Sequence, residues 1–235
     1  KCSGYLRPAR PIAHPAMERT TRAIGVMSDS SLDGIDLALC VFEHQGKRWS
    51  FTMEKAETVT YDNAMRERLL HATEASALEL ARLHRDIGIA IGNACKDLLR
   101  GTHADAIASH GHTVFHQPDE GLTTQVGDGA RIAAITGLPT VCDFRSMDVA
   151  LGGQGAPLVP FGERILFPEH KAFVNLGGIA NISIHQGENP IGYDVCPCNQ
   201  ALDLLAHEAG KAYDADGAIA HSGEVDVELL AKLNA

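Results

Sequence analysis

The regular apolar pattern of this chain starts twice, and that restart restricts the fold more than any single motif. From Ala23 the segments AIGVM, IDLALCVFE and WSFTMEKAETVTY, separated by the polar turns SDSSLDG and HQGKR, predict three consecutive strands in an antiparallel meander. At Lys171 a second series begins with KAFVNLGG and runs through ANISIHQG and NPIGYDV to a helix predicted over 199–209. Each series opens with a hairpin, turning around Ser28 to Gly34 in the first and around Gly177 to Asn181 in the second. Between the two series the spacing predicts helices over 62–83 and 87–99, a strand in ADAIASHG, a helix in GDGARIAAIT and a strand in PTVCDF. This pattern implies two similar α/β lobes, over 23–160 and 161–235, after an extended leader over 1–22. The Gly- and Pro-rich stretch from Leu151 to Phe167 is the expected hinge. Two unrelated hairpins in one α/β domain is the competing organisation.

With 235 residues, 45% of them hydrophobic, the chain can bury a sizeable core. A net charge of -10 disfavours phosphate backbones and anionic lipid, so neither nucleic acid nor a membrane is expected as partner. No apolar stretch reaches the roughly 18 residues of a membrane span, and the N-terminal residues lack the apolar centre of a signal peptide. The six cysteines are irregularly spaced, and Cys40 and Cys142 lie in apolar runs, which fits reduced thiols in a cytoplasmic protein.

Several segments combine turn geometry with polar groups. The turn Ser28-Asp29-Ser30-Ser31-Leu32-Asp33-Gly34 can cradle phosphate with its N–H groups and hydroxyls, and Asp33 or Asp36 could hold magnesium through water; a solvated hairpin turn uses the same residues. Gly177 and Gly178 permit close backbone approach to a ligand, and Asn175 and Asn181 offer polar ends; a glycine hairpin turn is the plainer reading. Ser109-His110-Gly111-His112-Thr113 follows an apolar strand, where α/β folds present ligand-contacting groups. His110, His112 and His116 lack carboxylate or cysteine companions at metal spacing, and Cys196-Pro197-Cys198 is too short for a CxxC site. Asp194, before a Pro turn and a helix, suits either a general base or a helix cap. Arg145 suits an anion clamp or an ion pair with Asp143 or Asp148.

Taken in order, IGVMSDSSLDGID (24–36), SHGHTVFHQP (109–118), TQVGDGARIAAITGLP (124–139), DFRSMDVALGGQGAPLVP (143–160), VNLGGIANIS (174–183) and the segment 193–203 resemble the anhydro-N-acetylmuramic acid kinases. The block from Gly127 to Asn181 is the most specific part. The resemblance implies an actin/hexokinase-like (ribonuclease H-like) two-lobe ATPase fold of the α/β class, with the second lobe incomplete. It implies a kinase that uses ATP and Mg2+ to open the 1,6-anhydro ring of anhydro-N-acetylmuramic acid and phosphorylate its O6, in peptidoglycan recycling. Asp194 would activate the water that attacks the anomeric carbon. ATP phosphates would rest on Asp29, Ser30, Ser31, Leu32, Asp33, Gly34, Ile35 and Asp36, with Gly177, Gly178 and Asn181 opposite and Asp33 as the metal ligand. The sugar would meet His110, Gly111, Gln125, Asp128, Arg145, Gln154 and Gly155. The family's GTSLDG turn has Asp29 and Ser30 in place of Gly and Thr here, which is expected to weaken ATP binding. Its DTGPGN reads Asp194-Val195-Cys196-Pro197-Cys198-Asn199, where cysteines at positive φ would be strained. A homodimer is the assembly to test. A non-catalytic sugar- or partner-binding module is the competing function, and an ATPase of this fold with another substrate is a third.

Overall fold

A computed structural model of the chain describes residues 19–28, 32, 34–46, 48–156, 158–185 and 190–234. Strand β1 (Arg19–Met27) pairs antiparallel with β2 (Gly34–Gln45), which pairs antiparallel with β3 (Arg48–Thr60), forming the expected meander. β1 takes in Arg19 to Arg22, which the apolar pattern assigned to the leader. These polar residues pair with Val41 to His44, and Arg22 is held by Glu54 at 2.6 Å. Ile24 stands opposite Leu39 and Val26 opposite Leu37, so period-two alternation places Ile24, Val26, Ile35, Leu37 and Leu39 on one buried face.

That face is covered by helix. The single helix expected over 62–83 is two: α1 (Asn63–Leu70), capped by Asp62, and α2 (Ala77–Leu98). A short 3-10 turn separates them, and Ser76 with Glu79 forms a capping box that starts α2 afresh. The break expected before Ile87 does not occur, and α2 runs straight through Gly88. Leu83, Ile87, Ile91, Ala94, Cys95 and Leu98 recur at helical spacing and pack on the buried face of the sheet. Each such aliphatic side chain contributes on the order of 2 kcal/mol by leaving water.

After α2 the chain returns as β4 (Ala106–Ser109), parallel to β1. A reciprocal clasp closes the start of this pairing: the Arg22 N–H donates to the Asp105 carboxylate at 2.8 Å, and the Asp105 N–H donates to the Arg22 carbonyl at 2.7 Å. Next come β5 (His112–Gln117) and β6 (Leu122–Val126), an antiparallel hairpin that the sequence pattern did not show. Helix α3 (Gly129–Thr136) leads into β7 (Thr140–Cys142), parallel to β4. The main sheet therefore has the order β3-β2-β1-β4-β7, the arrangement expected of a ribonuclease H-like lobe.

The stretch expected as a bare hinge contains helix. α4 (Ser146–Ala150) precedes it and α5 (Leu158–Leu166) lies within it. Pro160 does not prevent α5 because it falls in the first turn, where no intrahelical N–H bond is needed. The chain divides into two compact units after Gly155. The second unit has a separate antiparallel sheet of β8 (Ala172–Leu176), β9 (Ile179–Ile184) and β10 (Ile191–Pro197), in the order β10-β9-β8. It ends in α6 (Asn199–Glu208), α7 (Ala218–Ser222) and α8 (Val227–Leu233). Among the described residues no helix is long and apolar enough to cross a membrane.

Candidate functional site

In the first unit, polar residues gather where β1 and β4 end. Ser28 follows β1 and is 2% exposed; its hydroxyl accepts from the Tyr61 hydroxyl at 2.7 Å and lies 3.1 Å from His112 Nδ1. Ser28 thus joins Tyr61 to His112 through a single hydroxyl, which accepts from the phenol and has both a proton and a second lone pair with which to meet the imidazole. This buried chain ties the entry of the expected phosphate turn to the start of β5. The sequence placed Ser28 in a turn but gave no reason to couple it to Tyr61, 33 residues away.

His110 is also buried, and its backbone N–H donates to the Val26 carbonyl at 3.0 Å. Arg145 Nε donates to His110 Nε2 at 2.9 Å, and His110 Nδ1 lies 3.0 Å from the Gly111 carbonyl. Both contacts are satisfied by the neutral ring with its proton on Nδ1. The guanidinium also donates from Nη1 to the Gly155 carbonyl at 2.6 Å, while the Gly155 N–H donates to Asp148 at 2.6 Å. Arg145 thus spans from the end of β4 to Gly155, and the loop after β7 folds around it. Gly111 has φ +70°, and a Cβ there would lie 2.5 Å from the Val126 carbonyl, so glycine is required both by conformation and by the passage of β6. Gln125 on β6 donates to Thr123 at 2.8 Å, but its Oε1 is buried without a partner among the described residues, as is the Ser109 hydroxyl. Buried polar atoms of this kind cost about 1–3 kcal/mol unless a water or ligand meets them.

His110, Gly111, Gln125, Arg145 and Gly155 therefore form one cluster. Asp128 is engaged elsewhere: it caps α3 by accepting from the Ala130 and Arg131 N–H groups at 2.9 and 3.2 Å. Gln154 is exposed beside Gly155. Among the nucleotide candidates, Asp29, Ser30, Ser31 and Asp33 lie outside the described residues. Leu32 has φ 57°. Gly34 is buried against the Val59 carbonyl, and Ile35 belongs to the core at 1% exposure. Asp36 is exposed and accepts from the Thr58 hydroxyl at 2.6 Å. Among the described residues no group of three or more His, Cys, Asp or Glu side chains could hold a metal ion. A magnesium ion is commonly held by one or two carboxylates with waters and substrate phosphates, and of the expected carboxylates Asp36 is among the described residues and is exposed.

In the second unit, strand register brings the remaining candidates together. Asn175 stands opposite Asn181, and Asn181 stands opposite Asp194, so the three side chains share one face of the sheet. Asp194 is within β10 rather than at its end, and a register shift follows it before Cys196. No hydrogen bond or ion pair engages the side chains of this row among the described residues. The Gly177 and Gly178 carbonyls point at the start of α6, accepting from the Asn199 N–H at 3.0 Å and the Gln200 N–H at 3.1 Å. Neither Cys196 nor Cys198 has positive φ; among the described residues the non-glycine positions that do are Leu32, Asp143 and Asp216, so the expected cysteine strain is absent. Two residues along the same face, Ser183 donates to the Glu163 carboxylate of α5, and His185 Nε2 approaches that carboxylate at 3.1 Å.

A sequence profile of the anhydro-N-acetylmuramic acid kinases matches residues 21–235, almost the entire chain. The chain belongs to this family. The kinase of that name from Acinetobacter baylyi is 36% identical over 227 residues, covering 90% of this chain and 59% of the relative. Those from Pseudomonas syringae pv. tomato and Xanthomonas campestris pv. campestris are 38% and 39% identical. The chain spans about 60% of the length of these anhydro-N-acetylmuramic acid kinases. The solved ethanolamine utilization protein EutJ from Carboxydothermus hydrogenoformans is similar with a TM-score of 0.35 at 14% identity, covering 89% of this chain and 62% of that one; a likeness at that level bears no weight for function. Family membership thus rests on sequence.

Proposed function

We propose that the chain carries the catalytic base and sugar-binding groups of an ATP-dependent kinase that opens the 1,6-anhydro ring of anhydro-N-acetylmuramic acid and phosphorylates O6, as in peptidoglycan recycling. The observation that supports this best is Asp194, an exposed carboxylate in the matched region with no side-chain partner among the described residues to neutralise it. As general base, Asp194 takes a proton from water while the water oxygen bonds to the anomeric carbon. The bond from that carbon to O6 breaks as it does so, and the freed O6 accepts the γ-phosphoryl group of ATP, leaving ADP. Magnesium, when bound, would screen the phosphate charge, with Asp33 and Asp36 as its protein ligands. Arg145 and the His110 it orients offer a cation and a buried imidazole for the sugar's acidic and hydroxyl groups, and the orphaned Gln125 Oε1 offers an acceptor. The free thiols of Cys40, Cys95, Cys142, Cys196 and Cys198 suit a cytoplasmic setting.

Transfer of labelled phosphate from ATP to anhydro-N-acetylmuramic acid tests the reading. The chain is expected to turn over and Asp194→Asn to stop it, with circular dichroism unchanged. Unaltered turnover by the variant refutes the role of Asp194, and sugar binding without phosphate transfer by the parent chain assigns it a binding role.

A further inference from the structure

The register of the second sheet sets Asn181 directly beside Asp194, the expected base. Asn175, Asn181 and Asp194 lie side by side on β8, β9 and β10, neighbours about 5 Å apart across each strand pair, so the row spans about 10 Å. One end of this face is closed: Ser183 is bonded to Glu163, and a Cβ on Gly192 would lie 3.6 Å from Pro160 of α5. At the other end is the Gly177–Gly178 turn, whose carbonyls are taken up by α6. The row between them is the polar, unengaged part of the face. Its chemistry is two neutral amides beside one carboxylate, which repels a phosphate placed against it. A sugar has hydroxyl, ether and acetamido groups that both donate and accept, which an Asn side chain can meet from both sides.

We propose that Asn175 and Asn181 are sugar-contacting residues, holding the reacting end of the anhydro sugar and its water over Asp194. Asn181 then serves the sugar and not the ATP phosphates. This rests on the proposed kinase reading, which supplies the sugar. Asn181 is the immediate neighbour of Asp194 and bears on the reacting carbon; Asn175, one strand further, bears on the far side of the ring.

The test is calorimetry on the full 235-residue chain with anhydro-N-acetylmuramic acid and, separately, with Mg·ATP. The variants are Asn175→Ala, Asn181→Ala, Asn181→Ser and, as a control from the opposite face, Tyr193→Phe. Each alanine variant is expected to bind the sugar about five- to tenfold more weakly, the loss of a neutral hydrogen bond or two, with ATP binding unchanged. Asn181→Ser should recover part of the loss, and Tyr193→Phe should bind as the parent does. Melting temperatures within a degree or two of the parent keep the comparison on binding, and Asn181→Ser serves if an alanine variant does not fold. Sugar binding equal to the parent's in both alanine variants overturns the proposal, as does a loss confined to Mg·ATP. A parent chain that does not bind the sugar refutes the kinase reading itself, and the proposal falls with it.

Discussion

Replacing Gly88 by alanine adds one methyl group inside a helix, a change that on helix propensity alone stabilises by about 1 kcal/mol. Here the surroundings reverse the sign. A Cβ at Gly88 would lie 2.7 Å from the Asp128 carbonyl oxygen, 2.8 Å from its nitrogen and 2.9 Å from its Cβ. Ordinary carbon contacts begin near 3.5 Å, so the loop before α3 must retreat by about 0.7 Å. That loop cannot yield cheaply, because the Asp128 N–H is bonded to the His84 carbonyl at 3.0 Å and the Gly127 N–H to His84 Nδ1 at 3.1 Å, both on α2. Overpacking against backbone costs about 3 kcal/mol at the upper end of its usual range, leaving a net loss of about 2 kcal/mol. For a unit of this size that lowers Tm by about 4–8 °C. Trp49, the single tryptophan, lies on β3 in the same unit, so its fluorescence in urea reports the relevant transition. Gly92→Ala is the comparison: its nearest contacts, at 3.0 to 3.3 Å, are all on the Ile135 side chain, which can move, and the expected change is within about 1 kcal/mol. Equal or greater stability in Gly88→Ala would refute the close approach of α2 to the Asp128 loop.

Burial pushes the Cys95 thiol up to about 12. A raised value means that its contribution to stability is full below the unfolded value of 9.0 and is lost as pH rises toward 12, so Cys95→Ala should flatten the alkaline limb of a stability profile. In native protein, iodoacetamide should modify the exposed Cys142 and Cys196 well before Cys95, and early loss of the Cys95 thiol in peptide mapping would contradict its burial. Arg145→Lys keeps the charge but cannot reach both His110 and Gly155, so sugar binding should weaken by about tenfold; calorimetry showing no change would leave the guanidinium fork without a binding role.

Much of the fold is legible where one period dominates. The β1–β3 meander, β4, α3, β7 and the β8–β10 series follow from alternation and turn residues that need no distant partner. Errors arise where two signals overlap. The apolar spacing from Asp62 to Leu83 continues across His71 to Ser76 and conceals the Ser76–Glu79 capping box, while the polar run His84-Arg85-Asp86 suggests a break that α2 runs through. The β5–β6 hairpin mixes His, Thr and Gln with Val114, Phe115, Leu122 and Val126 in no sustained alternation, and so carries no clear inside or outside. For the site, motif order singles out His110, Arg145, Asn181 and Asp194, but not how they combine. The Arg145–His110 bond spans 35 residues, and the opposition of Asn175, Asn181 and Asp194 is set by strand register. Neither can be read from local spacing.

The parallel pairing of β1 with β4 bears on how the chain is made in a cell. β2 follows β1 directly in sequence and covers one edge of it, but the other edge waits for a partner 83 residues downstream, the separation of Arg22 from Asp105. Closing a loop of that length costs about 4 kcal/mol in chain entropy before the pairing stabilises anything. At 5–20 residues per second, a ribosome takes roughly 4–17 s to deliver β4, and throughout that interval β1 presents an unpaired edge. An open strand edge is a template for the edges of other nascent chains. Soluble yield should therefore depend on the rate and temperature of synthesis, and on holdase chaperones, more steeply than on the stability of the finished protein.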